Sequence, residues 1–297
     1  LRALGYFTGR YGKIDWVESN NEYWLELDAR LRTDFNITTG PKSHEIGKYK
    51  SKLAMKEYYR KAGVPCARCA PVTDLAAALD FVREVGYPVV VKPDNGVGAV
   101  ATWRLESGAD LERFFRARPE TPYLIEEYLS GSVTTYDGIC DSRGEVLFAA
   151  SHVTRNSIMD MVNEGVPTYY YVDKEVPADV EAAGKATLKA FGAASRFFHL
   201  EFFRLTADRP GVGKTAGGFT PDMLNFSQSA DVYRIWADMV AFDQLRHTYN
   251  GPHRYCVYAG RRDRRRYALS LGELEARCGG RARLFTRMPD ALAGTMG

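Results

Sequence analysis

The stretch HLEFFR, residues 199–204, and the stretch PVVVKPDNGVG, residues 88–98, carry most of the information about how this chain folds. HLEFFR lies in the apolar run 196–205, which predicts a buried strand. Glu201 is therefore a carboxylate among aromatic residues, and burying an unpaired charge costs several kcal/mol. Lys92 is a positive charge in a similar position, since it ends an apolar strand and precedes a glycine loop. Together the two charges indicate a bound polyanion with a metal ion, for which an Mg-nucleotide is the simplest candidate.

The composition is that of an ordinary globular protein, with 297 residues, 45% of them hydrophobic and 26% charged. The net charge of +3 is too small to indicate binding to nucleic acid. No apolar run approaches the roughly 18 residues of a membrane span, and no signal peptide is evident. We therefore expect neither a nucleic-acid nor a membrane partner. Because the chain opens on Leu1 rather than methionine, we expect it to be a piece of a longer protein.

The cysteines are odd in number and widely spread, which indicates reduced thiols and a cytoplasmic location. They are Cys66, Cys69, Cys140, Cys256 and Cys278. The first two form a C-x-x-C motif. They could be a redox or metal-binding pair, or two unreactive thiols. We favour unreactive thiols, because no second pair of ligands completes a zinc site.

Hydrophobic periodicity and capping residues predict a mixture of helices and mostly antiparallel strands. The predicted helices are 48–62, 73–85, 110–116, 179–191 and 231–245. The predicted strands are 89–92, 100–105, 123–129, 132–140, 145–152, 196–205, 254–259 and 266–270. The last two strands would form a hairpin around the arginine-rich sequence GRRDRR. This pattern favours an α+β fold over a doubly wound sheet.

Four charged pieces follow one another along the chain. Lys52 lies in SKLAMKEYYRKAGVP and Lys92 in VVVKPDNGVG. Glu126 and Glu127 lie in YLIEEYLSG, and Glu201 lies in HLEFFR. This order and spacing resembles the ATP-grasp superfamily, and within it the carboxylate–amine ligases similar to carbamoyl-phosphate synthase and biotin carboxylase.

The resemblance covers roughly residues 40–239 and implies a division of the chain. Residues 41–245 would form an ATP-grasp domain, in which two α+β subdomains clasp a nucleotide. Residues 1–40 would be the end of a preceding α/β domain, and residues 246–297 a C-terminal α+β extension. The implied cofactors are ATP and Mg²⁺.

The resemblance also implies which residues hold the phosphates. Lys52 and Lys92 occupy the places of two phosphate-contacting lysines, and a lysine ammonium is a compact charge suited to phosphate. Asn95, Gly96 and Gly98 belong to the loop that closes over the phosphates. Its glycines let backbone N–H groups approach them.

The remaining roles follow in the same way. Glu126, Glu127 and Leu129 match the hinge strand beside adenine, and the backbone of Glu127 and Leu129 would contact the adenine edge. Glu201 matches the first magnesium carboxylate. Arg155, in HVTRNS, lies in the region that faces the acceptor and would bind a carboxylate or an acyl phosphate. An ordinary surface arginine is the alternative for Arg155.

Purely structural alternatives exist for the other charged residues as well. The two lysines could be solvated, since lysines are common on exposed helix faces and at strand ends. Glu126 and Glu127 alternate across a strand, so one of them is expected to face solvent. Glu201 could form a structural ion pair with Arg196 or Arg204. The ordered set favours the functional interpretation.

The implied activity is an ATP-dependent carboxylate–amine or carboxylate–thiol ligase, which acts through an acyl phosphate and releases ADP and phosphate. Its partners would be a small carboxylate and an amine, and a homodimer is left open. Two alternatives belong to other classes. One is a nucleotide-binding protein without catalysis, and the other is an RNA- or peptide-binding module that uses the arginines of residues 261–266.

One departure from the family concerns the metal site. Relatives usually carry a second metal carboxylate in an E-x-N-x-R strand, whereas here Lys214 leads almost directly into Gly217 and Gly218. We predict that the return strand is absent. Either the metal site is lost or a segment is missing between Lys214 and Thr215, and we favour the missing segment. The ribose contact is a second departure, because Ser132 and Val133 replace a usual glutamate.

The five histidines show no pairing in the sequence that indicates a metal site or a catalytic triad. His199 lies on the predicted buried strand. We expect it to be a hydrogen-bonded core residue.

Overall fold

The computed structural model describes residues 1–96, 101–154, 169–206, 209–215, 220–263 and 265–287. Within these residues the strands form two antiparallel sheets, one of four strands and one of seven, and helices pack on both. The predicted α+β class is therefore confirmed.

The elements have the following bounds. The helices are α1 (Arg2–Tyr11), α2 (Leu25–Asp34), α3 (Gly47–Lys50), α4 (Lys52–Lys61), α5 (Leu75–Val85), α6 (Gly108–Ala117), α7 (Ala178–Phe191), α8 (Pro221–Gln228), α9 (Val232–Phe242) and α10 (Leu271–Cys278). The strands are β1 (Cys69–Pro71), β2 (Val89–Pro93), β3 (Trp103–Leu105), β4 (Tyr123–Glu127), β5 (Ser132–Cys140), β6 (Val146–Ala150), β7 (His152–Thr154), β8 (Tyr169–Val172), β9 (Arg196–Thr206), β10 (Arg209–Thr215) and β11 (Cys256–Ala259).

The small sheet has the strand order β1-β4-β2-β3. Val89 and Val91 of β2 are fully buried and pack with Ile125 of β4 in a core that α5 and α6 complete. Side chains alternate along a strand, so Lys92 and Glu126 lie on the opposite face of this sheet. Lys92 and Glu126 thus share the face that is turned away from this apolar core.

The large sheet has the order β10-β9-β5-β7-β8-β11, with β6 paired to β5. On one face, Phe198, Leu200 and Phe202 of β9 pack against α4 and α7. On the other face, Phe197 of β9 packs against α8 and α9. Because Glu201 is an even number of residues from Phe197, its side chain lies on this second face.

Residues 128–131 connect β4 of the small sheet to β5 of the large sheet. At Gly131 a Cβ atom would lie 2.4 Å from the backbone oxygen of Arg204, so the connection needs a glycine where it passes β9. Helix α4 also touches both sheets, because Met55 and Tyr59 enter the core of the large sheet while Lys56 reaches β4 of the small one.

Two predicted elements differ from the structure. The helix predicted over 48–62 is interrupted at Ser51, whose side chain accepts a hydrogen bond from the N–H of Ala54 and so caps α4. The predicted hairpin of 254–259 with 266–270 is wrong. Strand β11 pairs with β8 instead, and in the described residues of 266–270 there is no strand.

Candidate functional site

Three charged side chains meet on the face of the small sheet opposite the core formed with α5 and α6. The ammonium of Lys92 contacts one oxygen of the Glu126 carboxylate, and the Nζ atom of Lys56 lies 3.1 Å from the other. The side chains are only 15%, 13% and 7% exposed for Lys92, Glu126 and Lys56. Burial by itself would raise the pKa of Glu126, but the two lysines outweigh it and lower that pKa to about 2. Glu126 therefore stays ionised and fixes both ammonium groups.

Sequence reasoning missed Lys56. It stands four residues after Lys52 on α4, and its Nζ atom also donates to the carbonyl of Ala67 at 2.9 Å. The available signal was its position next to the buried Met55, which places a lysine on the inner side of an amphipathic helix.

Lys52 holds the beginning of the glycine loop. Its Nζ atom donates to the carbonyl oxygens of Pro93, Asp94 and Gly96 at 3.0, 3.2 and 3.0 Å. The lysine is thus not on a freely solvated face. It lies beside Lys92, where the loop leaves β2, and its phosphate contact stays a prediction.

The loop itself is described only in part. The side-chain amide of Asn95 donates to Glu26 at 3.0 Å, which places the loop beside α2. Gly96 is described, whereas Gly98 lies outside the described residues. The predicted contact of this loop with phosphates stays a prediction.

Glu127 pairs with Arg68 on the other face of β4. The backbone N–H and Nε of Arg68 donate to its two carboxylate oxygens, each at 2.8 Å. Glu126 is the more buried of the two carboxylates, and Glu127 lies in a partly exposed pair with Arg68. Leu129 is half-buried in the connection between the sheets, where an adenine contact remains a prediction.

Glu201 lies in a buried cluster on the second face of the large sheet. Its Oε1 atom is 3.6 Å from Nε2 of His199, and Nδ1 of His199 is 2.5 Å from Oδ1 of Asp137. The other oxygen of Asp137 is 2.9 Å from Nδ1 of His152. The hydroxyl of Thr135 donates to that same oxygen at 2.6 Å.

The pKa values of His199 and Asp137 are set by the charged groups that contact them. Burial alone would lower the pKa of His199, but Asp137 and Glu201 raise it to about 10. Burial alone would raise the pKa of Asp137, but the two histidines hold it well below its usual range. A protonated His199 therefore lies between two carboxylates.

The two arginines considered as structural partners of Glu201 each have another described contact. Arg204 binds both carboxylate oxygens of Asp179 at 2.8 Å, and Arg196 lies over the ring of Tyr49. His199 is a hydrogen-bonded core residue, as predicted. The sequence showed no pairing of histidines, whereas the structure joins His152 and His199 through Asp137.

The E-x-N-x-R strand of the relatives is absent from residues 209–215, and a missing segment between Lys214 and Thr215 stays a prediction. A different return strand follows β9. Strand β10 pairs antiparallel with β9, and Lys214 and Thr215 occupy consecutive register positions opposite Glu201 and Leu200. Its sequence, RPGVGKT, contains no carboxylate, so β10 supplies no second acidic ligand. Arg155 lies outside the described residues.

Comparison with known proteins adds to this geometry. A family model described as the carbamoyl-phosphate synthase L chain, ATP binding domain, matches residues 49–132. These residues contain α4, the whole small sheet and the connection to the large sheet. The biotin carboxylase domain of 2-oxoglutarate carboxylase from Hydrogenobacter thermophilus is similar over 86% of this chain and 60% of its own, with a TM-score of 0.64 at 18% identity. The chain has the ATP-grasp fold.

Two further ATP-grasp structures agree. An L-amino acid ligase from Bacillus licheniformis matches 80% of this chain and 59% of its own, with a TM-score of 0.63 at 17% identity. A carboxyaminoimidazole ribonucleotide synthase from Aspergillus clavatus matches 63% of this chain and 50% of its own, with a TM-score of 0.51 at 18% identity. The predicted resemblance to ATP-grasp carboxylate–amine ligases is confirmed. This ATP-grasp chain spans 60% or less of the length of these three structures.

Several of these structures contain nucleotide. The Hydrogenobacter domain was solved with MgADP, ADP and bicarbonate, and the Aspergillus synthase with ATP. In this chain all five cysteines are free thiols. None of the helices in the described ranges is both long and apolar enough to cross a membrane.

Proposed function

We propose that this chain is the ATP-grasp part of an ATP-dependent ligase that joins a carboxylate to an amine or a thiol. The reaction would pass through an acyl phosphate and release ADP and phosphate. The observation that carries the proposal is the buried set of Lys92, Glu126 and Lys56 on the face of the small sheet opposite its α5 and α6 core. Residues 128–131 connect this sheet to the sheet that holds Glu201.

The charges suit a bound triphosphate. Lys92 and Lys56 share one carboxylate, so the pair keeps a net positive charge that a polyanion would neutralise. Lys52 adds a third ammonium at the start of the glycine loop. In the proposed complex Lys92 donates to phosphate oxygens while Glu126 and Lys56 hold it in place. The connection at Glu127 and Leu129 would lie along adenine.

Magnesium fits the site through Glu201. This carboxylate is 9% exposed on a rigid strand, and Mg²⁺ commonly uses only one or two protein carboxylates together with phosphate oxygens and waters. Bound ATP would supply the phosphoryl group, and the Mg²⁺ ion would offset the negative charge of the phosphates. Glu201 would set the position of the ion in spite of the lack of an acidic residue on β10.

The protein's part in the reaction would be to position reactants and stabilise charge, because phosphoryl transfer needs little else from side chains. An oxygen of the substrate carboxylate attacks the terminal phosphorus and ADP leaves. The amine then attacks the acyl carbon and phosphate leaves. Arg155 is proposed to hold the acceptor carboxylate.

A nucleotide-binding protein without catalysis is the second candidate. The lack of any carboxylate in β10 favours it, since a metal held by fewer protein ligands supports phosphoryl transfer less well. An RNA- or peptide-binding module has less support. Arg261 already lies over the ring of Tyr267 and donates to the carbonyl of Leu269.

The organisation of the chain follows from the same proposal. Residues 41–245 would form the ATP-grasp domain, residues 1–40 the end of a preceding domain and residues 246–297 an extension. Substrates would be small molecules, and neither nucleic acid nor membrane would be a partner. The dimer named for the Hydrogenobacter domain supports a homodimer, and the free thiols support a cytoplasmic location.

The test is release of ADP from ATP and Mg²⁺ by the chain, measured with a panel of carboxylic acids and amines. We expect ADP release to require Mg²⁺, one acid and one amine. The variant Glu201→Gln should reduce the rate by roughly 100-fold or more while ATP still binds, since an ionised group placed for the transition state is lost. Glu112→Gln, on the surface of α6, is the matched control and should keep the full rate.

Two outcomes decide between the candidates. If the chain binds ATP but releases no ADP with every combination of acid and amine tested, the non-catalytic candidate is favoured. Equal rates for Glu201→Gln and the wild type would contradict the assigned role of Glu201.

A further inference from the structure

The buried cluster beside Glu201 has the composition of a transition-metal site. Asp137 lies on β5, His152 on β7 and His199 on β9. Strand β5 is the middle one of these three neighbours, and Asp137 is in direct register with His199. One ligand atom from each residue can be chosen so that all three lie within 4.8 Å of one another.

The cluster is closed off from solvent. Asp137 is 1% exposed, and the side chains of His152 and His199 are 9% and 6% exposed. A buried carboxylate needs a cation, and the neighbours described above are two imidazoles and a hydroxyl rather than an arginine or a lysine. Either a proton on an imidazole or a metal ion can supply that positive charge.

We propose that Asp137, His152 and His199 bind one divalent transition-metal ion, such as Zn²⁺, at a site separate from the Mg²⁺ of the nucleotide. Two imidazole nitrogens and one carboxylate oxygen are the ligand set that zinc and iron sites use. Mg²⁺ prefers oxygen ligands in an octahedron, so this cluster would select against it. The proposal does not depend on the proposed ligase activity.

The surroundings match those of a metal-binding histidine. Such a histidine binds the ion with one ring nitrogen and donates from the other nitrogen to a carboxylate. His199 offers Nδ1 to the cluster, while its Nε2 atom faces Glu201 at 3.6 Å. The hydroxyl of Thr135, 2.6 Å from Asp137, would orient the carboxylate.

Binding requires a small rearrangement. The distances from Asp137 to His199 and His152 are now 2.5 and 2.9 Å, because the imidazoles donate hydrogen bonds to the carboxylate. A tetrahedral ion with bonds of about 2.0 Å would open these distances to about 3.3 Å and replace the shared protons. The ion would leave its fourth position to water or to Thr135.

The first experiment measures zinc retained by the whole chain. Protein treated with chelator is dialysed against Zn²⁺ with a large excess of Mg²⁺, and bound metal is then measured by elemental analysis. We expect one tightly held Zn²⁺ per chain. His152→Gln and Asp137→Asn should lose it, since removing a ligand costs more than the roughly 10- to 100-fold loss of affinity caused by removing a group that only hydrogen-bonds to a ligand.

Two control variants exclude other binding sites. His44→Gln makes the same change at a histidine with a 76% exposed side chain, and should retain the ion. The double variant Cys66→Ser, Cys69→Ser removes the C-x-x-C thiols and should also retain it. Loss of zinc from the double variant with retention in His152→Gln would overturn the proposal.

A second measurement uses the unaltered chain and so does not depend on the folding of a variant. Co²⁺ bound at this cluster should give the intense visible bands of a four- or five-coordinate ion, without thiolate charge-transfer bands. Only the weak spectrum of hexahydrated Co²⁺, together with no retained Zn²⁺, would show that the cluster is a proton-bridged hydrogen-bond network without metal.

Discussion

Replacing Lys92 by methionine is expected to weaken ATP binding by about 3 kcal/mol, which is a factor of roughly 100 in Kd. The side chain of Lys92 is only 15% exposed, and Glu126 holds its ammonium in place. Methionine keeps much of the apolar stem but cannot donate to phosphate. Titration calorimetry with ATP and Mg²⁺ on both proteins measures the difference.

The control for this variant is Lys189→Met, which removes an exposed lysine from α7 and should leave ATP affinity unchanged. Glu126 keeps Lys56 as a partner in Lys92→Met, so the fold should persist, and circular dichroism checks this. Unchanged ATP affinity in a folded Lys92→Met protein would remove Lys92 from the site.

Replacing Glu126 by glutamine should lower the free energy of unfolding by about 3–5 kcal/mol at pH 7. Loss of one partner from a buried ion pair leaves uncompensated charge, and here two lysines lose their shared carboxylate. Urea denaturation of the wild type and the variant measures the change. Glu57→Gln, at an exposed position of α4, is the matched control and should change stability by less than about 0.5 kcal/mol.

The same pair predicts a dependence on pH. The pKa of Glu126 is lowered to about 2 from a usual value of 4.5, so its stabilising effect is complete above the usual value and disappears as the pH falls through about 2. The difference in stability between wild type and Glu126→Gln should therefore shrink between pH 5 and pH 2. A difference that stays constant over that range would contradict the ion pair.

The parts of the fold that the sequence predicted well have strong local signals. The apolar runs of β2 and β9 predicted the bounds of both strands to within a residue or two, because each strand is largely buried. The helix predicted over 110–116 is α6, and Ser107 caps it by accepting a hydrogen bond from the backbone N–H of Asp110. Lys92 and Glu201 stood out because each is a charge attached to such a strand.

The parts that the sequence did not predict depend on which distant segments become neighbours. Strand β11 pairs with β8 rather than with the nearby residues 266–270, and local turn chemistry carries no information about that choice. Likewise, Asp137, His152 and His199 meet only because β5 lies between β7 and β9. Strand β10 was missed because RPGVGKT has neither the alternation nor the composition of a strand.

A crystal structure of this chain with a non-hydrolysable ATP analogue and Mg²⁺ tests the proposed ATP site most directly. We expect phosphate oxygens within hydrogen-bond distance of Lys92, adenine along residues 127–129, and Mg²⁺ in contact with Glu201. Nucleotide bound elsewhere, or bound between the sheets with no phosphate at Lys92 and no ion at Glu201, would contradict the proposed site.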